Sequence, residues 1–245
     1  MLDRESRLKP SLSIFITAYN EADILPQTLA HTLEALQGVI SDSEIIIVND
    51  ASRDETGKIA DKLVRLNPKI RVIHNVRNLN QGRCYQKSIL LAKKEYHCLL
   101  PGDDMLRVDS LKELFNSAGK ADMSLIAINN QEIRHPIRRF ISRFFMKILR
   151  FVSGERLSYF NGPAIIKTSL LKDIETSNTF MFLADSVIKL LRRGASYVVV
   201  PVHFNLDGKR ANLRAVRRNF FPVLKNVFSL FWELRLKPLL SKKNV

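Results

Sequence analysis

The sequence predicts an α/β fold built on a doubly wound, mostly parallel sheet, and three observations carry that reading. Short apolar runs (13–18, 44–48, 70–74, 96–100, 123–128) alternate with longer helical patterns. The first, second and fourth runs read as continuous apolar stretches, as strands covered on both faces do. Those same three runs end in acidic or polar residues: Tyr19-Asn20-Glu21, Asn49-Asp50 and Gly102-Asp103-Asp104. In open α/β sheets, ligands sit just beyond the carboxyl ends of the strands. Three carboxylate-bearing ends at one edge would suit a divalent cation and a metal-bridged nucleotide diphosphate.

The elements follow in order. Ser13–Ala18 is the first strand. Residues 21–37 carry Leu25, Leu29, Leu33 and Leu36 on one face, and Gly38 stops the helix. Glu44–Val48 is the second strand. After the polar loop 51–57, a helix carries Ile59, Leu63 and Leu66 and ends at Asn67-Pro68. Ile70–His74 is a third, short strand. The turn-rich loop 78–82 leads into a helix over 83–94, then a strand ending at Asp103, a helix over 109–118 and a strand over 123–128. In the second half the pattern predicts a helix over 137–152, a turn at Asn161-Gly162-Pro163, and Ala164–Ile166 before a short helix around Leu170. A helix over 182–193 stopped by Gly194, a strand over 197–202, a loop over 205–209 and a mostly helical tail from about 211 to 236 complete it.

A length of 245 residues suits one large domain or one domain with an appendage. We divide it into a catalytic domain over 1–206, with a nucleotide-binding half at 1–133 and an acceptor-binding half at 134–206, and a basic amphipathic tail over 207–245. The two cysteines, Cys84 and Cys98, lack metal-ligand spacing and suit a reducing compartment. The charged start lacks a signal-type apolar core, and no uninterrupted apolar stretch approaches the roughly 20 residues that span a bilayer. The expected location is therefore the cytoplasm, peripheral on the inner face of the membrane.

The formal net charge of +15 is unevenly placed. Residues 1–133 hold 17 basic and 18 acidic side chains, 134–156 hold 7 against 1, and 207–245 hold 10 against 2. The excess lies in two short segments, away from the acidic strand ends. Clustered Arg with interleaved Phe superficially suits a nucleic acid, but that reading leaves the acidic crevice unexplained, and no nucleic-acid partner is expected.

No Gly-x-Gly-x-x-Gly and no Walker-type lysine loop follow the first strand, which argues against dinucleotide and P-loop chemistry. The phosphates must then be handled by Mg²⁺ or Mn²⁺, which take hard oxygen donors and usually only one or two from protein. Asp103 is the best ligand candidate. Taken alone, Gly102-Asp103-Asp104 reads as well as a helix cap or a turn; three acidic strand ends favour the cation.

Four blocks together carry a resemblance. Thr17-Ala18-Tyr19-Asn20-Glu21, Val48-Asn49-Asp50-Ala51-Ser52-Arg53-Asp54-Glu55-Thr56, Asn78-Leu79-Asn80-Gln81-Gly82 and Pro101-Gly102-Asp103-Asp104 resemble, in order and spacing over residues 12–118, the inverting family-2 glycosyltransferases of GT-A fold. The resemblance implies a nucleotide site formed by Ala18, Tyr19, Glu21, Asp50, Ser52, Gly82 and Asp103, with Asp103 binding the metal under the diphosphate. The chain departs from the family pattern at Ala18 (usually Pro), at Asn49 and Ala51 (usually Asp and Gly around Asp50), and at Pro101 (usually Asp). The last leaves the metal one carboxylate short: either Asp104 compensates, as ligand or catalytic group, or the metal is weakly held. A catalytically silent nucleotide-binding scaffold is a third reading, made plausible by Pro101 and Ala18.

On a helix, Arg139, Arg143, Lys147 and Arg150 form a stripe, with Phe140, Ile141, Phe144, Phe145, Ile148, Phe151 and Val152 over the remaining face. This describes a helix on anionic lipid, or an ordinary amphipathic helix docked on the core. The run Arg138-Arg139-Phe140-Ile141-Ser142-Arg143 resembles the polyprenyl-phosphate subgroup typified by dolichol-phosphate mannose synthase. That implies Arg138 and Ser142 as acceptor-phosphate ligands, assisted by Arg139 or Arg143. Asp185 stands where the family carries an acidic residue at a helix start, as base or, for a phosphate acceptor, as an orienting group; it reads equally as a charge on the helix dipole. Lys209 and Arg210 weakly match the subgroup's basic loop. The tail, with Arg214, Arg217, Arg218, the Phe220–Val223 run and Trp232, suits a membrane surface or core packing. The expected activity is metal-dependent transfer of a sugar from a nucleotide-diphosphate donor to a membrane-associated acceptor, polyprenyl phosphate first, or else a growing lipopolysaccharide or capsule glycan.

Overall fold

Seven strands form one sheet in the order β3-β2-β1-β4-β6-β5-β7. The computed structural model describes residues 10–130, 136–155, 157, 161–205, 225 and 227–232, without the side chains of 136–138 and 141. The elements are β1 (Leu12–Ala18), α1 (Leu25–Leu36), β2 (Ser43–Asn49), α2 (Thr56–Leu66), β3 (Ile70–His74), α3 (Asn80–Leu91), β4 (Tyr96–Pro101), α4 (Val108–Asn116), β5 (Met123–Ile128), α5 (Pro136–Ser153), β6 (Ala164–Lys167), α6 (Thr168–Lys172), α7 (Phe182–Arg192) and β7 (Tyr197–Val202). All neighbours pair in parallel except β6, which runs antiparallel to both β4 and β5.

The sheet is doubly wound. Ile14, Ile16, Ile45 and Ile47 point to one face, where they pack with Leu25, Leu29, Ala60, Leu111 and Phe115 of α1, α2 and α4. Phe15, Ile46 and Val48 point to the other, with Tyr85 and Ile89 of α3, Leu149 of α5 and Val187 and Ile188 of α7. Side chains alternate across a strand, so a run apolar at every position needs such double cover.

Two helix starts differ from the sequence reading, for one reason. The first helix begins at Leu25, not residue 21, because the amides of Glu21 and Ala22 donate to Thr56 Oγ1 (2.9 Å) and Asp54 Oδ2 (3.3 Å). The third begins earlier than 83, at Asn80, because the Asp50 carboxylate accepts from the amides of Leu79 (2.8 Å) and Asn80 (3.0 Å). A carboxylate from a distant loop thus satisfies the helix's first donors.

Helix α5 corrects the expected apolar face. Its buried stripe is Met146, Leu149 and Val152, with Phe145 and Ile148 half-buried, while Phe140, Phe144 and Phe151 are 73%, 60% and 74% exposed. Of the tail, residues 225 and 227–231 are helical, with Val227 and Leu230 buried; Lys209, Arg210, Arg214, Arg217, Arg218 and the Phe220–Val223 run lie outside the described residues.

Candidate active site

Strands β1 to β4 stop level. Ala18 pairs with Asn49, Asn49 with His74, and Thr17 with Pro101. Residues 19–24, 50–55, 75–79 and 102–107 therefore emerge along one edge. From β1 the chain winds outward through β2 and β3, with α1 and α2 on one face, and then crosses by α3 on the other face to β4 on the far side of β1, so the β1–β4 boundary is the switch point where open α/β sheets bind ligands. β6 pairs only with Tyr96–Cys98, so the last residues of β4 border a gap in the sheet. Pro101, which has no N–H, stands where no ladder donor is needed.

This edge holds four non-glycine residues in left-handed backbone: Asn20 (φ 56°), Ala51 (φ 56°), Asn80 (φ 66°) and Asp104 (φ 50°). Such residues are uncommon and cluster where surrounding contacts over-determine them at functional sites. The contacts are visible. Asn20 N donates to Ser52 Oγ (3.1 Å) and Asn20 Oδ1 accepts from Arg53 N (2.8 Å), stitching the β1 loop to the β2 loop. Burial pushes the Asp54 carboxyl up, but hydrogen bonds from the Thr56 hydroxyl, the Thr56 amide and the Ala22 amide outweigh it and hold it below the usual range. Asn49 Nδ2 donates to His74 Nδ1 (3.0 Å), and His74 Nε2 to Asp61 Oδ1 (3.1 Å), fixing the end of β2 from α2.

Asp50 is buried, and its carboxylate also accepts from Asn75 Nδ2 (2.9 Å), whose Oδ1 takes Lys87 Nζ (2.8 Å). The Cys84 thiol hydrogen-bonds this carboxylate as well, so Asp50 gathers donors from the 75–80 loop and from α3. Burial, and then the Asp50 charge, push the neighbouring Cys84 thiol to about 12. Tyr19 is 42% exposed and Glu21 half-buried at the rim of the edge. Ala18 is buried, and its carbonyl accepts from Asp50 N (2.9 Å).

Gly82 and Gly102 are required by close approach. A Cβ on Gly82 would lie 2.3 Å from the backbone carbon of Asn178, and one on Gly102 would lie 2.9 Å from the Thr17 carbonyl oxygen. The first contact brings the 175–181 loop to the start of α3, beside Asp50. Asp185, buried in the first turn of α7, accepts from Ser177 N (2.9 Å) in that loop and pairs with Lys189 (3.2 Å). It lines a cleft of about 330 Å³ with Gln86, Ser177, Asn178, Lys189 and Leu230.

Asp103 is half-buried in the turn after β4. Asp104 is buried and faces elsewhere: its oxygens lie 3.0 and 3.1 Å from His31 Nδ1, and Oδ2 takes Asn205 Nδ2 (3.1 Å). Among the described residues no cluster of three His, Cys, Asp or Glu is placed to hold a metal. A single carboxylate at a glycine turn fits Mg²⁺ or Mn²⁺ whose remaining ligands are phosphate oxygens and water, not a cation caged by protein alone.

A family model described as glycosyl transferase family 2 matches residues 13–180. The chain belongs to that family. It is a glycosyltransferase, and its fold is GT-A. Two dolichyl-phosphate beta-glucosyltransferases of Trichomonas vaginalis are similar: ALG5A at 29% identity over 82% of this chain and 68% of its own length, and ALG5C at 27% over 55% and 44%. The chain thus spans less than half of the second relative. Among solved structures, Mycobacterium tuberculosis glucosyl-3-phosphoglycerate synthase, with Mn²⁺, UDP-glucose and phosphoglyceric acid, superposes with a TM-score of 0.69 at 13% identity over 91% of this chain and 80% of that one. The Pyrobaculum calidifontis mannosyltransferase PcManGT, with GDP-mannose and Mn²⁺, gives 0.67 at 16% over 91% and 64%. Both likenesses establish the fold.

In this family-2 glycosyltransferase the expected site residues 18, 19, 21, 50, 52, 82 and 103 share one edge. Arg139 and Ser142 are half-buried and Arg143 exposed on α5; the side chain of Arg138 is outside the described residues. The sequence reading missed His31, Asn75, Lys87 and Asn205. The Thr28–His31 spacing, which puts both residues on one helix face, was a signal; the partners of the other three lie across the fold.

Proposed function

We propose that the protein transfers a sugar, with inversion, from a nucleotide-diphosphate donor to polyprenyl phosphate at an anionic membrane surface, peripherally and on the cytoplasmic face. The observation that carries the donor half is the edge itself: four left-handed residues and three acidic strand ends locked together at the switch point. Asp50 organises the 75–80 loop around the base. Tyr19, Glu21 and Ser52 border the nucleoside, and Gly82 and Gly102 let backbone approach closely. Asp103 holds Mg²⁺ or Mn²⁺, which when bound neutralises charge on the departing diphosphate. We assign Asp104 to holding that turn.

The acceptor half of this reading rests on α5 and on relatives named for dolichyl phosphate. β5 runs parallel to β7 and, through β6, to β4, so its carboxyl end opens on the donor edge. Asn130, beyond β5, is tied to the segment after β7 by Asn130 Nδ2 to Phe204 O (2.9 Å), and α5 starts six residues later. Arg138, Arg139, Ser142 and Arg143 thus leave from that edge, as phosphate ligands of the acceptor. A phosphate oxygen is nucleophilic without losing a proton at neutral pH, so Asp185, held by Ser177 and Lys189, orients the sugar. Phe140, Phe144 and Phe151 with Arg143, Lys147 and Arg150 provide the lipid-facing surface. Among the described residues no helix is long and apolar enough to cross a membrane.

The test is incubation with radiolabelled UDP-glucose or GDP-mannose, Mn²⁺ and polyprenyl phosphate in detergent. Label should move to the organic phase only with the lipid present, and Arg139→Ala/Arg143→Ala should cut the rate at least tenfold. Transfer to glycan primers but not to lipid phosphate would overturn the acceptor assignment.

A further inference from the structure

We propose that His31 and Asn205 are positioning residues for the cation end of the donor pocket, fixing Asp104 so that the turn after β4 presents Asp103. This rests on the assignment of Asp103 to the cation. Asp104 combines two unfavourable features, a buried carboxylate and a left-handed backbone, and such a conformation persists only where neighbours over-determine it. The neighbours come from two parts of the chain. From α1, His31 Nδ1 reaches both carboxylate oxygens, at 3.0 and 3.1 Å; a carboxylate only accepts, so that nitrogen carries the proton. From the chain beyond β7, Asn205 Nδ2 donates to Asp104 O (2.7 Å) and Oδ2 (3.1 Å). That residue is itself fixed, because Asn205 N donates to Met105 O (3.0 Å) and Arg107 N to His203 O (3.2 Å) around a Leu106–Phe204 bridge.

The residue on the other side of Asp103 is held from β1 and, again, from α1. Gly102 N donates to Thr17 O of β1 (2.8 Å), and Gly102 O accepts from Thr28 Oγ1 of α1 (3.0 Å). Thr28 and His31 are three apart on one helix face, so a single face of α1 grips Gly102 and Asp104 together. Asp103 is the residue between the two clamped positions. Turning Asp104 into His31 and Asn205 also keeps two adjacent carboxylates from competing for one cation. With Pro101 where the family usually has Asp, the placement of Asp103 matters more here than in a site with a second carboxylate.

The test is calorimetric binding of UDP and of GDP, each with and without Mn²⁺, on the full chain and on His31→Ala, His31→Asn and Asn205→Ala, with melting temperatures alongside. The expected result is that His31→Ala and Asn205→Ala lose at least tenfold in Mn²⁺-supported affinity while metal-free affinity is unchanged. His31→Asn, whose amide can donate from near the Nδ1 position, should recover most of it. Parent-like Mn²⁺-supported binding in His31→Ala and Asn205→Ala overturns the inference, as does an equal loss with and without metal, which marks a merely structural role. If the parent itself shows no Mn²⁺-supported binding, the cation assignment of Asp103 fails, and this inference with it; that outcome is read on the parent alone.

Discussion

The loops at the donor edge and the surface of α5 solve opposite problems. At the edge, residues 19–22, 50–56 and 75–80 are tied to one another by hydrogen bonds across the strand ends, 102–104 are tied to β1, α1 and Asn205, and polar groups such as Asp50 and Asp104 are buried because each is satisfied. On α5 three phenylalanines face outward beside Arg143, Lys147 and Arg150. Phe151 stacks on Phe231 (centroids 6.4 Å), joining α5 to the 227–232 segment, where Phe228 and Trp232 are also exposed. The first region is defined by backbone geometry, the second by exposed side chains. Substitutions at the edge should therefore register as stability or pocket geometry, and substitutions on α5 as partitioning.

The largest effect expected is at Gly82. Gly82→Ala puts a methyl against the backbone of Asn178 and should cost about 3 kcal/mol, read as the urea midpoint; parent-like stability would show that the 175–181 loop moves freely from α3. Next is His97, buried behind the edge against Phe15 and Tyr85, with Nε2 2.7 Å from Ser88 Oγ. Burial pushes its pKa down from 6.5 to about 3. The unfolded chain binds that proton and the folded chain does not, so this contribution is complete above about pH 6.5 and is lost as pH falls from there toward 3. The loss is about 2 kcal/mol at pH 5. Denaturant titrations at pH 7 and 5 should show it, and His97→Phe should remove that part of the pH dependence.

On α5, Phe140→Ser/Phe144→Ser should lower partitioning onto phosphatidylcholine vesicles containing phosphatidylglycerol about tenfold, about 1.4 kcal/mol, with no change in melting temperature. A lowered melting temperature with unchanged partitioning would place these rings in the core instead. The smallest effect is at Ala51. Relief of left-handed strain, about 1 kcal/mol, exceeds the added freedom of glycine in the unfolded chain, about 0.5 kcal/mol. Ala51→Gly should therefore raise the melting temperature by about 1–2 °C.

The strands and the acidic ends of β1, β2 and β4 were legible because doubly covered strands must be apolar throughout and their carboxyl ends must be polar. Asp50 and Asp103 could be picked out on that ground. Asp104 was visible but its role was not: the partners that turn it inward, His31 and Asn205, lie 73 and 101 residues away. Helix starts were misplaced for the same reason, since Asp50 and Asp54 act on amides of other loops. On α5 the pattern held apolar residues nearly all round, so periodicity could not choose between the Met146–Leu149–Val152 stripe and the phenylalanines.

The most direct measurement is calorimetric titration of the parent and of Asp103→Ala with UDP and GDP, each with and without Mn²⁺. The account predicts that one nucleotide binds the parent, that Mn²⁺ strengthens it, and that Asp103→Ala abolishes the metal-dependent part. Failure of both nucleotides to bind, or binding indifferent to Mn²⁺ and to Asp103→Ala, would contradict it.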